Sequence, residues 1–550
     1  MTGALVEDKP KADNGMAEEA SVGPRIAGCD MSVVVLPPIP PEKQAYALAR
    51  YSRSPDSISE SLKWVHAHSA ERFWEKFYFE YGHASIADLG HLAICLEGVS
   101  ELAAAEVLHE ALIDAQQKST RYQDFGKVPL VWPGPDGDAK QAFERAAADL
   151  MVAYRQVYAA EHSALQELHP RPADMDEDRY DRTLAARAFD VARYLLPMGT
   201  TTNLGTVMSV RTLERTIGRL LVSPYAEVRA LAGRLAEACS QPPDGTWAAL
   251  MAESGQSARS QESGKEADLA DRGSADTGPL VAALQPVEPL APTLARHAHP
   301  QTYAAQVRDR AKAAFDKLMG SACGGGVTGG WRESAGAAGA VDLVPAHGLT
   351  EEILATLLYR DSRHSYRVIL GAVAELPPEK RDRLLAEILG EIGKHDEPPR
   401  ELRAGQAFVF DITMDWGGWR DMHRHRRCEQ VVQAFDLDAG LRLPPETADP
   451  ATPDGITAAY KAAVAAARDL AGADVQAAHY LLPFAHQVRC LFKMDFSEIQ
   501  YITRLRSGPK GHDSYRAIAW AMAEAARKAQ PALAPYITAT SPDIRDPLIR

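Results

Sequence analysis

A chain of 550 residues exceeds one ordinary domain of roughly 100–200 residues and predicts two or three. Its 60 Lys and Arg against 74 Asp and Glu leave a net charge of −14, which excludes a general nucleic-acid binder unless basic residues are segregated in a patch. No apolar run approaches the roughly 18 residues of a membrane span, and Cys29, Cys95, Cys239, Cys323, Cys428 and Cys490 form no CxxC pair, so neither a disulfide framework nor a cysteine zinc site is expected. A cytoplasmic protein that touches no membrane fits these features.

In chain order, residues 1–30 lack a basic start followed by an apolar segment and read as a disordered lead, with Met31 an alternative start. His91 to Leu96 has the apolar, β-branched content of a strand. Leu102, Ala105, Val107, Leu108 and Leu112 then follow helical spacing up to Ser119. Ala-rich helical patterns precede Leu196-Pro197 and end near Cys239. The Ser-, Glu- and Gly-rich stretch over about 245–285 cannot bury enough apolar surface to order itself and reads as an insertion. A helix is predicted over 302–319. The glycines Gly324-Gly325-Gly326 and Gly329-Gly330 read as a joint, and no Gly-Lys-Ser/Thr follows them to make a phosphate-binding P-loop. Ile353, Leu354, Leu357 and Leu358 return to helical spacing, and Ala407 to Met414 reads as a second strand.

The chain repeats itself. Ala192-Arg193-Tyr194-Leu195-Leu196-Pro197 recurs as Ala478-His479-Tyr480-Leu481-Leu482-Pro483, an offset of 286 (478 − 192). Arg219 and Arg506 follow at nearly that offset, and Arg50-Tyr51-Ser52-Arg53 resembles Arg360-Asp361-Ser362-Arg363. Several weak matches in one order argue for two related halves, with chance likeness between Ala-rich helices as the alternative.

His423-Arg424-His425-Arg426-Arg427, after a turn expected at Gly417-Gly418, is the densest positive cluster in this acidic chain. Guanidinium forks bind phosphate or carboxylate through paired charge-assisted hydrogen bonds, so a nucleotide or pyrophosphate is a natural ligand. A solvated basic turn paired with Asp421 and Glu429 accounts for the charge equally well. The first half carries His109-Glu110-Ala111 instead, followed by Gln116-Gln117-Lys118-Ser119-Thr120-Arg121-Tyr122.

A basic triplet followed by Ser-x-Arg-Tyr resembles the flavin-dependent thymidylate synthases, and the chain resembles a tandem fusion of two such domains. Gly82-His83-Ala84-Ser85, Glu97-Gly98-Val99-Ser100, Ala192 to Pro197, and Arg219 with Glu227-Val228-Arg229 extend the likeness over most of 45–235, with a weaker echo over 355–540. The resemblance implies a helix-rich α+β fold, two copies of a short antiparallel sheet flanked by helices. It implies a first synthase-like domain over 31–300, a helix and linker over 301–345, and a diverged second domain over 346–550.

What the resemblance implies chemically is reductive methylation of dUMP to dTMP, with FAD as cofactor and methylenetetrahydrofolate and NADPH as co-substrates. It assigns Ser119 and Arg121 as catalytic. Gln117, Ser119, Arg121, Arg193, Arg424 and Arg506 surround the nucleotide; Arg424, His425, Arg426, His83, Ser85 and Arg211 surround the flavin. No metal is implied. The losses are complementary, because half one lacks the triplet and half two lacks Ser-x-Arg-Tyr around Gln433 to Asp436. One composite site is therefore expected between the halves, with Arg121 and Arg424 both lined by solvent. A homodimer replaces the family's homotetramer. The alternatives are a catalytically eroded nucleotide- or flavin-binding relative, and a methylase of another uridine nucleotide.

Overall fold

The computed structural model describes residues 34–36, 38–80, 84–246, 250, 289–302, 340–344, 348–359, 366–390, 408–545 and 548. The lead, most of the insertion, the helix expected over 302–319, the glycine joint and the repeat at 360–363 lie outside them. The chain divides into two units, Pro40–Gly245 with Pro286–Arg550, and Met1–Ile39 with Thr246–Gln285. Every element below belongs to the former.

Two small antiparallel sheets lie among helices. The first, in the order β1-β3-β2, comprises β1 (His91–Ser100), β2 (Ile113–Gln117) and β3 (Thr201–Ser209). The second, in the order β4-β5-β7-β6, comprises β4 (Val341–Val344), β5 (Phe408–Asp415), β6 (Glu429–Val432) and β7 (Gln487–Met494). The expected strands are β1 and β5, and the expected helix-rich α+β class is what the chain adopts. β2 and β6 escaped the sequence reading because they are short and polar, and β3 because Asn203 and Gly205 interrupt it.

The two copies correspond element by element. Ser209 at the end of β3 and Asp495 just after β7 cap the helices Val210–Leu220 and Phe496–Arg506, accepting from the amides of Thr212 and Glu498. That fixes an offset of 286 (495 − 209). Ser100 and Asp415 likewise cap the helices Glu101–Leu108 and Trp416–Met422, an offset of 315 (415 − 100). Side-chain capping satisfies amides that the first helical turn leaves unpaired. β1 carries one extra residue against β3 between Leu96 and Val99, and Gly98 takes the φ of 67° that this bulge requires. By the same register Arg506 stands opposite Leu220, not Arg219.

The halves meet about a pseudo-two-fold at the repeated Leu-Leu-Pro segments. Met198 N donates to Leu482 O at 2.9 Å and Gly199 N to Tyr480 O at 2.7 Å; reciprocally, Phe484 N donates to Leu196 O and Ala485 N to Tyr194 O, both at 2.9 Å. Each bond recurs with the partners exchanged, the signature of an isologous contact between two copies of one unit. The helices Asp138–Leu168 and Thr452–Ala471 pack across the same boundary. On the first, Phe143, Ala147, Leu150, Tyr154, Val157 and Glu161 recur at three- and four-residue spacing and are buried. Buried Glu161 accepts from the amides of Ala448 and Asp449, binding the second half's loop to the first half's helix. No described helix is long and apolar enough to cross a membrane.

Candidate active site between the two halves

The basic turn follows the helix Trp416–Met422, all of whose residues are buried. The expected turn at Gly417-Gly418 is the start of this helix. Glycine is needed there because a Cβ on Gly418 would lie 2.7 Å from Ser514 Oγ and 3.0 Å from Asp415 Oδ2. The helix thus sinks into the core and delivers Arg424 to Arg427 at its exit. They line a cavity of about 580 Å³, with Asp114, Ala115 and Gln116 of the first half on one side and the helix Phe496–Arg506 on the other. Strand alternation turns Asp114 and Gln116 one way and buried Gln117 the other.

The wall is strongly basic: Arg424, Arg426, Arg427, Arg504 and Arg506 face Asp114 and Glu498. Arg426 Nη2 reaches across the halves to Asp114 Oδ1 at 3.0 Å. Arg506 Nε donates to His425 Nε2 at 2.7 Å, while His425 Nδ1 lies 3.4 Å from Glu498 Oε1. A guanidinium only donates, so Nε2 carries the lone pair and the proton sits on Nδ1, toward the carboxylate. Burial, with Arg506 and Arg424 nearby, holds the His425 pKa below the ordinary histidine range against the opposing pull of Glu498. His425 is therefore neutral at pH 7, and the positive charge of the triplet resides on its arginines. Burial also pushes the Cys428 thiol up to about 12, and its Sγ donates to His425 O at 3.0 Å, a packing arrangement.

Behind the cavity lies a buried charge network joining the halves. Arg420 Nη1 stands 2.6 Å from Glu101 Oε2, with exposures of 1% and 0%. Gln117 Nε2 donates to the same oxygen at 2.5 Å, and Thr120 Oγ1 accepts from Arg420 at 3.1 Å and from Arg193 at 3.5 Å. Arg193 Nη2 completes the network on Asp421 Oδ2 at 3.1 Å. Burial would raise the Asp421 carboxyl, yet Arg193, Arg424 and Arg420 together hold it well below the carboxylate range.

Among the residues named from sequence, Arg424, His425, Arg426 and Arg506 line the cavity. Gln117 and Arg193 belong to the network behind it, Arg193 being 1% exposed. Ser119 Oγ accepts from the Arg121 amide at 3.3 Å. The expectation that Arg121 is lined by solvent is corrected: Nε and Nη2 clamp Asp190 at 2.6 and 3.2 Å, leaving the side chain 11% exposed, because a buried aspartate needs a charged partner. Arg424 remains 32% exposed and 3.5 Å from Asp421. His83 lies outside the described residues, Ser85 is exposed in a short 3-10 turn, and Arg211 pairs with Asp88 at 2.9 Å. Asp190, Tyr515, Glu498 and Arg420 went unread. Asp190 and Tyr515 stand 69 and 394 residues from Arg121, and no local pattern marks them.

The same offsets locate the second copy of this cavity. The triplet maps to His109-Glu110-Ala111, and Gln500, Tyr501 and Arg504 map to Glu214, Arg215 and Gly218. Glu110 lies 4.0 Å from Arg215. The chain itself passes over this place, since Gln301 N donates to Gly218 O at 3.0 Å and Gln301 Nε2 to Arg215 O at 3.1 Å. A Cβ on Gly218 would lie 2.5 Å from His299 O. Where one copy keeps an arginine-lined opening, the other holds a backbone segment.

A family model described as thymidylate synthase complementing protein matches residues 36–242 and 354–532, once in each half. Among curated proteins the chain is similar to a UPF0159 protein of Chlamydia muridarum (strain MoPn / Nigg), 26% identical over 500 residues covering 88% of this chain and 84% of the relative. A UPF0159 protein of Chlamydia pneumoniae is 26% identical over 467 residues, 82% and 77% of the two chains. Among solved structures, a flavin-dependent thymidylate synthase ThyX from Helicobacter pylori complexed with FAD and dUMP is 15% identical, with a TM-score of 0.24 over 36% of this chain and 89% of that one. A UMP/dUMP methylase, PolB from Streptomyces cacaoi, bound with 5-Br dUMP, gives 15% and 0.24 over 36% and 84%.

Proposed function

The chain belongs to the thymidylate synthase complementing protein family, and from that premise we propose that it is a flavin-dependent methylating enzyme of uridine nucleotides, converting dUMP to dTMP at one composite site per chain. The observation that carries this reading is the basic cavity walled by β2 of one half and by the arginine turn and Arg506 of the other. Its volume falls within the roughly 300–1,000 Å³ of ligand pockets, and its guanidinium donors fit phosphate and pyrophosphate.

In this reading Arg424 and Arg426 hold flavin phosphate, while Ser119, Arg121 and Arg506 hold dUMP. Bound there, FAD reduced by NADPH would supply hydride for a methyl group whose carbon methylenetetrahydrofolate would provide. The chain's own work is binding and orientation. Neutral His425, fixed between Arg506 and Glu498, keeps the Arg506 head group aimed along the cavity wall. Arg193 acts from behind by holding Asp421, whose other oxygen faces Arg424. We read the two copies as a tandem duplication in a cytoplasmic homodimer, the domains spanning 31–300 and 346–550.

The test is the visible absorbance of the purified protein during titration with FAD and then dUMP. The expected result is one flavin per chain, with bands that shift when dUMP is added. A colourless protein that ignores FAD overturns the reading in favour of an eroded relative, and two flavins per chain overturns the composite site.

A further inference from the structure

We propose that Tyr515 is a positioning residue that sets two anion-binding guanidinium groups, Arg121 of the first half and Arg506 of the second, in one frame beside the cavity. The ligand's identity as a uridine nucleotide rests on the function proposed above; the frame rests on geometry alone. Tyr515 is 4% exposed in the first turn of the helix Asp513–Ala529. Its hydroxyl accepts from Arg121 Nη1 at 3.2 Å, and the Arg506 guanidinium carbon lies 5.4 Å from its ring centroid. One side chain thereby touches a cation from each half, through its polar tip and its aromatic face.

Both guanidiniums are held elsewhere in a way that leaves selected donors for a ligand. Arg121 gives Nε to Asp190 Oδ1, one Nη2 proton to Asp190 Oδ2, the other to the Lys510 carbonyl at 3.2 Å, and one Nη1 proton to Tyr515. Of its five N–H groups, the remaining one is on Nη1, beside the Tyr515 hydroxyl. Arg506 gives Nε to His425, which leaves its terminal nitrogens on the cavity wall. The loop carrying Lys510 is pressed onto the ring: a Cβ on Gly511 would lie 2.9 Å from Tyr515 Cε2, so glycine alone lets that carbonyl reach Arg121. Fixing both arginines before the ligand arrives lowers the ordering cost of binding.

The second copy shows the set treated as one unit. Arg121 maps to Asp436, Asp190 to Gln476 and Arg506 to Leu220. Tyr515 maps to Val228, because the helices Ala226–Cys239 and Asp513–Ala529 begin after Tyr225 and His512. All four members are present in the copy whose Arg506 lines the open cavity, and all four are replaced in the copy that the chain covers. A tyrosine kept only for core packing would not track the arginines.

The experiment titrates the full chain calorimetrically with dUMP and, separately, with inorganic pyrophosphate, for wild type, Tyr515→Phe, Arg121→Lys and the double variant. Tyr515→Phe keeps the ring and loses the hydroxyl. It should weaken both ligands about five- to tenfold, the net worth of one ordinary hydrogen bond, while FAD absorbance and melting temperature hold. In the Arg121→Lys background the same change should cost less than about twofold. Asp190→Asn, a second route to a loosened Arg121, should give a loss of the same size. Unchanged pyrophosphate affinity in Tyr515→Phe, or an equal loss with and without Arg121, overturns the proposal. Tyr515-dependent pyrophosphate binding by a chain that ignores dUMP and FAD keeps the frame and overturns the uridine-nucleotide reading; a wild type that binds neither anion overturns both.

Discussion

The open cavity and its covered copy stand on corresponding strands and helices of the two halves and differ in the side chains that line them and in one backbone segment. Around the cavity, Arg424, Arg426 and Arg506 stand where the copy has His109, Ala111 and Leu220. In the copy, Gly218 replaces Arg504, and the segment around His299–Gln301 lies across it. The lesson is geometric: where one copy presents arginines to a cavity, the corresponding place in the other is occupied by a segment of its own chain. The interface polarity has separated as well. Glu101 pairs with Arg420 in one direction, whereas the corresponding residues in the other are Trp416 and Ala105, which makes the two halves non-interchangeable.

Removing that polarity has the largest expected effect. Arg420→Ala leaves Glu101 buried and unpaired and should cost about 3–5 kcal/mol of folding stability in chemical denaturation. Arg215→Ala, at a 47% exposed arginine near Glu110, should stay within about 0.5 kcal/mol. A small loss for Arg420→Ala would show that the halves are held by their apolar contacts alone.

The next effect concerns pH. His479 stands where the first half has Arg193, and burial pushes its pKa to about 4, as it does for His423 and His486. The folded state therefore refuses protons that the unfolded chain accepts near pH 6.5. The stability contributed by these neutral histidines is present above pH 6.5 and is lost as pH falls toward 4, by on the order of 3 kcal/mol for each. Urea midpoints between pH 7 and pH 4.5 measure this, and His479→Gln should flatten the slope. A slope unchanged in that variant would remove His479 from the account.

Binding sharpens the comparison further. Arg424→Ala should weaken pyrophosphate and FAD roughly 10- to 100-fold, as expected for a lost charge-assisted contact, while Arg215→Ala in the covered copy should leave both titrations unchanged. Equal losses would mean that both copies bind. Gly218→Ala, whose Cβ must displace the His299 carbonyl, is expected to cost about 1–3 kcal/mol of stability. Its thermal unfolding should shift without change in FAD binding.

The residues that announce chemistry were legible because their chemistry is local. Five consecutive basic residues after Met422, and Ser119-x-Arg121-Tyr122, stand out by type and spacing in an acidic chain. The repeat was legible too, since Tyr-Leu-Leu-Pro recurs nearly unchanged. Its alignment was less so: Arg219 looked like the counterpart of Arg506 until the strand register and the caps at Ser209 and Asp495 moved it by one residue. Arg193 and Arg121 stand out in their motifs as candidate ligand contacts, but an arginine in a motif carries no mark of its burial. Whether a guanidinium meets solvent or a carboxylate depends on partners hundreds of positions away, as with Arg193 on Asp421 and Arg121 on Asp190 and Tyr515.

By itself, then, the sequence determined the repeat, the helix-rich class and the location of the positive charge, because these reside in composition, periodicity and short motifs. Only the tertiary structure decided that the two Leu-Leu-Pro segments pair with each other, that the arginine turn opens against β2 of the opposite half, that Arg193 serves the interior, and that His299–Gln301 lies over the second copy. Each of those outcomes is set by long-range packing, where burial obliges every charge to find a partner, and that partner's identity is fixed by the fold.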